Sequence, residues 1–260
     1  MTSSDRAFEE LVEAAEKAPF SGWDFSYLQG RTTEYVLPWD YLRRVRTHMD
    51  RVNSVLDMGT GGGEVLASLA PLPPATCATE AYAPNVPVAK QRLTPLGVRV
   101  HDTTSDQEGA HLPFEDASFE LIINRHECFV ATEVFRLLQP GGTFITQQCG
   151  GYGEVELIEW FKGKGNATVM DWTAAIASQQ LEEAGLRVVD VQEVDPTYDF
   201  KDIGAVVYYL RAVPWLLEDF SVDKYRERLF AVHLHIQEHG GFCVKDQRFL
   251  IEAVKPKNKK

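Results

Sequence analysis

The sequence contains few cysteines and lacks a long apolar run. Its four cysteines, Cys77, Cys128, Cys149 and Cys243, are far apart and form no CxxC pair. This spacing excludes a structural zinc ribbon, and we predict reduced thiols and no metal site. No stretch reaches the roughly 18 apolar residues of a membrane-spanning helix, and the polar start "MTSSDRAFEE" has no signal-peptide core. We therefore expect no membrane contact and a cytoplasmic location.

Positive charge is also scarce, because the formal net charge is −12. Such a charge repels phosphate backbones and argues against broad nucleic-acid binding. The segment "YLRRVRTHMDR" is the local exception, with four arginines at positions 43, 44, 46 and 51. Helical spacing spreads these arginines around a helix, which favours a solvated surface over an RNA contact. The tail 256–260 predicts a disordered, basic chain end.

What the sequence does contain is a regular alternation of strand and helix patterns after residue 53. We predict seven strands, which cover residues 54–58, 76–80, 98–101, 119–124, 143–149, 187–194 and 248–255. Helical patterns separate them, including "TEVFRLLQPGG", which we expect to end at Pro140, and residues 171–186. This alternation predicts an α/β fold with a doubly wound, mostly parallel sheet.

Two regions interrupt the alternation. Residues 1–52 combine a helix at 6–18, an aromatic segment and a second helix at 39–51, and we interpret them as an N-terminal lid. Two further helices fall between the sixth and seventh strands, within an insertion at about 195–241 that we expect to form a substrate cap. The central domain then spans 53–255.

A glycine-rich turn follows the first predicted strand in "VLDMGTGGGEVLASL". The glycines at 59, 61 and 63 give the pattern D-x-G-x-G-x-G, whereas a dinucleotide fingerprint needs its third glycine at the position of Glu64. No Gly-Lys-Ser/Thr ending is present, so the turn does not resemble a Walker loop. A carboxylate beside the turn would repel a pyrophosphate, and we therefore expect a cofactor without phosphates.

S-adenosylmethionine (SAM) has the chemistry that this turn suits. Its amino-acid end carries an ammonium and a carboxylate, which bare backbone can surround while Asp57 supplies negative charge near the ammonium. Glu80 ends the next strand, where a doubly wound fold places an acid against a ribose diol. The two acids would thus bind opposite ends of one cofactor.

With these motifs the chain resembles a class I SAM-dependent methyltransferase. The resemblance covers roughly residues 53–150, through "VLDMGTGGGEVL", "ATEAYAPN", "LPFEDASFELIINRHECF" and "EVFRLLQPGGTFITQQ". It implies a seven-stranded sheet whose last strand is antiparallel. The cofactor-binding residues that it implies are Asp57, Met58, Gly59, Thr60, Gly61, Gly63, Glu80, Ala81, Tyr82, Asp102, Asn124 and Arg125. Asp106 is the alternative to Asp102 as the acid that contacts the adenine amine.

The acceptor is expected beyond the carboxyl ends of the fourth and fifth strands. There His126 is the candidate base, with Glu127 as its orienting partner or an alternative base. The candidate substrate-binding residues are Trp23, Tyr35, Trp39, Gln147 and Gln148. Each of them also has a structural interpretation: a hydrogen-bonded strand end for His126, loop capping for the glutamines, and lid packing for the aromatic residues.

A narrower resemblance concerns the segment "DIGAVVYYLRAVPW", which is similar to the post-sheet segment of ribosomal RNA guanine-N1 methyltransferases. Those enzymes carry a four-cysteine zinc module that this sequence lacks. We therefore predict methyl transfer to a small molecule, with RNA as the alternative acceptor. A SAM-binding protein without catalysis is the alternative from a different class, and the oligomeric state stays open.

Overall fold

The computed structural model describes residues 3–20, 23–33, 35–106 and 109–257. The chain forms two compact units. One unit comprises Met1–Val36, Tyr152–Met170 and Asp195–Gln247, and the other comprises Leu37–Gly151, Asp171–Val194 and Arg248–Lys260. We call the first the helical unit and the second the sheet unit.

The sheet unit contains one seven-stranded sheet. Its strands are β1 (Ser54–Met58), β2 (Ala75–Glu80), β3 (Arg99–Asp102), β4 (Phe119–Arg125), β5 (Leu138–Cys149), β6 (Arg187–Val194) and β9 (Arg248–Val254). The order across the sheet is β3-β2-β1-β4-β5-β9-β6. The first five are parallel, whereas β9 runs antiparallel to both β5 and β6. The predicted doubly wound fold with an antiparallel last strand is confirmed.

Helices cover both faces of this sheet. They are α2 (Tyr41–Met49), α3 (Glu64–Ser68), α4 (Asn85–Leu93), α5 (Ala131–Leu137) and α7 (Ala174–Glu183). Successive strand residues point to opposite faces, so Leu121 and Ile123 join one buried cluster with Val55, while Ile122 joins another with Leu56. Burial on both faces explains why these strands are nearly continuous apolar runs.

The helical unit has a separate core. It contains α1 (Ser3–Lys17), α6 (Val155–Lys162), α8 (Ile203–Ala212), α9 (Val222–His239) and a two-stranded antiparallel sheet of β7 (Thr197–Phe200) and β8 (Phe242–Lys245). Helix α8 is apolar on nearly all sides and is almost entirely buried. Asp202 begins it by accepting a hydrogen bond from the Ala205 N–H and also pairs with Arg31. The two helices predicted between the last strands are therefore present as α8 and α9.

Three sequence predictions differ from the structure. Helix α5 ends at Leu137, before the predicted end at Pro140, and β5 begins at once, because proline cannot extend a helix and holds the residue before it in an extended conformation. Helix α6 and the β7–β8 pair were not predicted. Both are short elements with weak periodicity, and Pro196 separates β7 from β6.

The chain division also differs from the lid boundary expected at residue 52. Helix α2 buries Tyr41, Val45 and Met49 in the core of the sheet unit, so residues 37–52 pack with the sheet. Most of the tail predicted as disordered lies outside the described residues. Within it, Lys257 is described and lies beside Gly141.

Candidate functional site

The turn after β1 adopts a backbone conformation that favours glycine. The φ angles of Gly59, Gly61 and Gly63 are +71°, +62° and +80°, in the left-handed region that side chains penalise. The Thr60 N–H donates to the Thr79 carbonyl at 2.9 Å, and the Gly59 N–H donates to the Thr79 hydroxyl at 3.2 Å. These bonds fix the turn against the end of β2.

Gly59 is required for a second reason. A Cβ atom at this position would lie 2.2 Å from Cγ of Glu127, so the Glu127 side chain packs directly on the glycine. The predicted turn and the predicted catalytic carboxylate, which are far apart in sequence, therefore meet. Only a residue without a side chain leaves room for both.

A cleft opens beside this turn, with an empty volume of about 270 Å³. The residues that line it are Met58, Gly59, Thr79, Ala81, Thr103, Asp106, Gly109, Leu112, Glu127 and Cys128. All of them belong to the sheet unit. The cleft thus lies at the carboxyl ends of β1, β2 and β4, where parallel α/β sheets bind ligands.

Asp57 lies just before the turn and is only 7% exposed. Burial raises the pKa of its carboxyl to about 6, against the opposing effects of the Thr60 hydroxyl and the Arg125 charge. A buried carboxyl without a full cationic partner can accept a hydrogen bond from an ammonium, and binding such a group would return the carboxyl to its ionised form.

Glu80 ends β2 and is 2% exposed. Its Oε1 accepts the Tyr82 N–H at 2.7 Å. Burial raises the pKa of Glu80 to about 7, and the nearby carboxylate of Glu127 raises it further, whereas backbone N–H groups including that of Tyr82 oppose the rise. Asp57 and Glu80 lie at the ends of β1 and β2 but are not among the residues that line the cleft, whose acids are Asp106 and Glu127.

The two candidate adenine acids differ in position. Asp102 is exposed at the end of β3, where it accepts the Thr104 N–H at 3.0 Å. Asp106 accepts the N–H groups of Ala110 and His111 and lines the cleft. This geometry favours Asp106 over Asp102 as the acid that contacts the cofactor.

Asn124 ends β4 within a buried hydrogen-bond network. Its Oδ1 accepts from the Thr146 hydroxyl at 2.8 Å and from Gln148 Nε2 at 2.5 Å. Gln148 also donates to the carbonyl of Glu127 at 2.9 Å. Gln148 therefore holds the β4 and β5 ends together, which supports its structural interpretation over a contact with substrate.

The candidate base His126 follows β4 with a φ of +59°, a conformation that histidine tolerates better than most residues. Its Nε2 lies 3.2 Å from Gln147 Nε2, and its Nδ1 lies 3.3 Å from Cys149 Sγ. The Trp39 indole N–H donates to Gln147 Oε1 at 2.9 Å. Trp39, Gln147 and His126 are thus brought together, but by contacts with one another.

Desolvation of the imidazole, together with the charges of Arg248 and Arg125, lowers the pKa of His126 well below its ordinary value, although the residue as a whole is exposed. The ring is neutral near pH 7, and both of its nitrogens are engaged. Desolvation raises the pKa of Glu127 instead. These two observations favour Glu127 over His126 as a proton acceptor.

Trp23 and Tyr35 belong to the helical unit. Trp23 lies among Phe20, Phe25 and Trp215, with ring centroids 5.5–6.4 Å apart. The Tyr35 hydroxyl donates to Asp246 at 2.7 Å. Both aromatic residues have packing partners within their own unit, as the lid-packing interpretation expects.

Sequence reasoning missed several lining residues, including Thr79, Thr103, Leu112 and Cys128. Thr79 is the penultimate residue of β2, and Cys128 follows β4 by three residues. Both strands were predicted, so the positions of these residues at the carboxyl edge of the sheet could have been inferred. Thr103 and Leu112 lie on a long connection without periodicity, which gave no signal.

Two absences concern the described parts of the chain. Within them, no group of three or more His, Cys, Asp or Glu side chains is arranged to hold a metal ion. None of the helices traced there has the length and apolar character needed to cross a bilayer.

Comparison with known proteins identifies a methyltransferase domain in the sheet unit. Residues 56–146 match the methyltransferase domain family. No curated protein matches the chain. Similar solved structures include a candidate methyltransferase from Bacillus halodurans, at 19% identity and a TM-score of 0.56, which covers 83% of this chain and 97% of its own. The Bacillus subtilis YcgJ protein is 18% identical with a TM-score of 0.60, at coverages of 84% and 98%.

A third structure is a candidate sarcosine dimethylglycine methyltransferase from Galdieria sulphuraria. It is 13% identical with a TM-score of 0.52, and the match covers 98% of this chain and 99% of that one. At these identities the likeness concerns the fold.

The domain match over residues 56–146, the fold and the glycine turn together indicate a SAM-dependent methyltransferase. The residues present fit the cofactor: the left-handed turn leaves bare backbone, Asp57 suits an ammonium, and Glu80 suits a diol. SAM is the cofactor of this chain.

Proposed function

We propose that the acceptor of the methyl group is a small molecule and that RNA is not the substrate. The observation that carries this proposal is that two arginines of the basic segment 41–51 are paired with groups of the sheet unit. If the protein bound RNA, the cationic side chains of this segment would have to contact the phosphate backbone. Two of its arginines instead form hydrogen bonds within the sheet unit.

Arg44 donates to Asp190 at 2.5 Å and to Glu252 at 3.2 Å. Arg46 donates to Asp50 at 2.9 Å and to the carbonyls of Leu69 and Pro71, both at 2.6 Å. The guanidinium groups of these residues therefore tie helix α2 to its surroundings. The formal net charge of the whole chain, −12, repels a polyanion.

The segment shared with ribosomal RNA guanine-N1 methyltransferases is accounted for by the helical unit itself. Asp202 caps α8 and pairs with Arg31 at 2.6 Å, and the following residues are core. The Galdieria neighbour, whose name refers to small methylated amines, is consistent with a small acceptor.

In this reaction SAM supplies a methyl group already activated on a sulfonium, for transfer by in-line displacement. The task of the protein is then orientation and exclusion of water. We infer that the glycine turn and Asp57 hold the amino-acid end, that Glu80 holds the ribose, and that Asp106 contacts the adenine. Glu127, whose side chain lies on Gly59 at the cleft, is the candidate acceptor of a proton from the substrate.

Two further parts of the proposal concern the cellular location of the protein and its specificity for the acceptor. All four cysteines are free thiols, which suits the reducing cytosol, and we propose that location. We also propose that the helical unit, with its own aromatic core, contributes the specificity for the acceptor.

The test is methyl transfer from tritiated SAM to a cell extract separated into small molecules, RNA and protein. We expect label in the fraction that passes an ultrafiltration membrane and none in RNA. A Glu80→Gln variant, which should bind SAM poorly, serves as the control for enzyme-dependent label. Label in RNA would overturn the small-molecule proposal, and label in no fraction would overturn the assignment of a diffusible metabolite acceptor.

A further inference from the structure

A row of four hydrogen-bonded side chains ends at an exposed cysteine in the sheet unit. It runs from Trp39 through Gln147 and His126 to Cys149, with distances of 2.9, 3.2 and 3.3 Å between successive polar atoms. Cys149 is the last residue of β5 and its side chain is exposed. The direction of each hydrogen bond in this row determines the chemistry of the sulphur.

The indole fixes that direction. The Trp39 N–H can only donate, so Gln147 must present its amide oxygen to Trp39. The amide nitrogen of Gln147 then faces His126 Nε2 and can only donate to it. A neutral imidazole has one N–H, and since Nε2 accepts, the proton resides on Nδ1. The Nδ1–H group consequently donates to the sulphur of Cys149.

Two independent features agree with this assignment. Protonation of His126 at Nε2 would set two N–H donors against each other, and the pKa of His126 is indeed held well below its ordinary value by desolvation and by positive charge. The backbone also holds the ring in place, because the His126 N–H donates to the Gln147 carbonyl at 2.8 Å.

Positive charge lies on the neighbouring strand as well. Arg248 of β9 is paired directly opposite Cys149 of β5. A sulphur that accepts a hydrogen bond beside cationic groups is stabilised as the thiolate, and the thiolate is the nucleophilic form of cysteine.

We propose that Cys149 is a nucleophilic thiol site that reacts with small electrophiles, both alkylating agents and peroxides. With iodoacetamide the sulphur forms a bond to carbon, the carbon–iodine bond breaks, and iodide leaves. With hydrogen peroxide the sulphur attacks one oxygen and the O–O bond breaks. The sulphur is oxidised to a sulfenic acid, the peroxide is reduced, and the released hydroxide takes a proton to form water.

The chain supplies its own comparison cysteines. Cys128 is exposed near the same edge of the sheet unit, but its thiol donates to Glu127 Oε1 at 3.2 Å, which keeps the proton on the sulphur. Cys243 of the helical unit is exposed too, and desolvation together with the carboxylates of Asp199 and Glu156 raises the pKa of its thiol. Both should react more slowly than Cys149.

The first experiment follows the alkylation of the full chain by iodoacetamide at about pH 7, with each cysteine peptide quantified by mass spectrometry over time. We expect Cys149 to react at least about tenfold faster than Cys128 and Cys243, because its thiolate fraction is larger. Equal rates at the three exposed cysteines would overturn the proposal.

Variants then test the row itself. His126→Asn keeps a residue type that tolerates a positive φ but removes the imidazole, and we expect the Cys149 rate to fall to that of Cys243. Trp39→Phe removes the donor that orients Gln147, and we expect a loss of several-fold. The Cys243 rate and the circular dichroism spectrum of each variant check that the fold is intact. An unchanged Cys149 rate in folded His126→Asn would overturn the proposal.

The peroxide arm uses dimedone to trap sulfenic acid. We expect the adduct at Cys149 of the wild-type chain and not at Cys149 of His126→Asn. Trapping that is equal at Cys128 and Cys149 would count against a specific site.

Discussion

Each unit of the molecule contains a pair of buried carboxyls with raised pKa values. In the sheet unit Asp57 has a pKa of about 6 and Glu80 of about 7. In the helical unit burial likewise raises the pKa of Glu154 to about 7 and that of Asp246 to about 6. The same physical cause, loss of water around a carboxylate, dominates in all four.

The partners of the two pairs differ. Glu80 accepts a backbone N–H, and the residues on either side of it, Thr79 and Ala81, line the cleft. Glu154 accepts the hydroxyls of Tyr198, at 3.0 Å, and Tyr209. Asp246 accepts the Tyr35 hydroxyl at 2.7 Å. A raised pKa therefore accompanies both a ligand cleft and an internal tyrosine network, and the surroundings of the carboxyl separate the two cases.

The largest effect is expected from Glu80→Gln. This change removes the charge that would accept the ribose hydroxyls, and charge-assisted hydrogen bonds contribute about 1.5–3 kcal/mol each. We expect SAM to bind about a hundredfold more weakly by calorimetry. Glu64→Gln is the matched control, because Glu64 lies on the same turn but pairs with Arg92. If Glu80→Gln bound SAM as tightly as Glu64→Gln does, the assignment of Glu80 to cofactor binding would be wrong.

The next effect concerns the helical unit. The folded pKa of Glu154 lies above the ordinary glutamate value of 4.5, so the folded state holds the proton more tightly than the unfolded state. Its contribution to stability is complete below about pH 4.5 and is lost as the pH rises through about 7. We expect Glu154 to account for a loss of about 2 kcal/mol of unfolding free energy between pH 5 and pH 8, measured by urea denaturation as the difference between the profiles of wild-type protein and Glu154→Gln.

Glu154→Gln mimics the protonated carboxyl and should remove the Glu154 share of the pH dependence, while Asp57, Glu80 and Asp246 keep theirs. The variant should match wild-type protein near pH 5 and exceed it near pH 8. Glu218→Gln, at an exposed position of the same unit, should leave the pH profile unchanged. A wild-type profile that is flat between these pH values would contradict the prediction.

A smaller effect with the opposite sign is expected for the cofactor. The ammonium and ribose hydroxyls of SAM favour ionised Asp57 and Glu80, whose pKa values are about 6 and about 7. SAM affinity should therefore fall as the pH drops through these values. If one carboxyl of the free protein takes up a proton that SAM binding must displace, the loss is about tenfold between pH 8 and pH 6. Calorimetry across this range checks it. If SAM affinity rose on acidification, the cofactor role that distinguishes Asp57 and Glu80 from Glu154 and Asp246 would be contradicted.

The sequence predicted the sheet unit better than the helical unit for a physical reason. Glycines at 59, 61 and 63, and acids at the ends of β1 and β2, are local signals, because each lies in or directly after a short, buried strand. The strands of the sheet therefore pointed to the candidate cofactor residues. Helix α6 and the β7–β8 pair have no such signal, and their positions depend on packing around α8.

The prediction of His126 as a base shows the other limit. Its residue type and its place after β4 were visible in the sequence, but its hydrogen bonds to Gln147 and Cys149 depend on how β4 pairs with β5. Strand register decides which polar groups meet, and a single sequence does not show it. The same is true of Glu127, which the sequence offered as an orienting partner of His126 or as an alternative base and whose contact with Gly59 only the structure shows.

The smallest effect is expected where carboxyls already have cationic partners. The pKa of Asp190 is lowered by hydrogen bonds from Gln192 and Arg44, and that of Glu252 is lowered by His48 and Arg44. Because the Arg44 side chain and these acids are partly exposed, Arg44→Ala should cost only about 1 kcal/mol of unfolding free energy.

Arg44→Ala should leave SAM affinity unchanged, since Asp190 and Glu252 lie on β6 and β9 and not at the carboxyl ends of β1, β2 and β4 beside the cleft. Arg43→Ala, at an exposed position on the same helix, is the control, and it should have no effect on either measurement. A large loss of SAM binding in Arg44→Ala would mean that paired acids distant from the cleft also determine cofactor affinity. The difference between Asp57 and Glu80 on one side and Glu154 and Asp246 on the other would then depend on the total charge of each unit more than on the hydrogen-bond partners of each carboxyl.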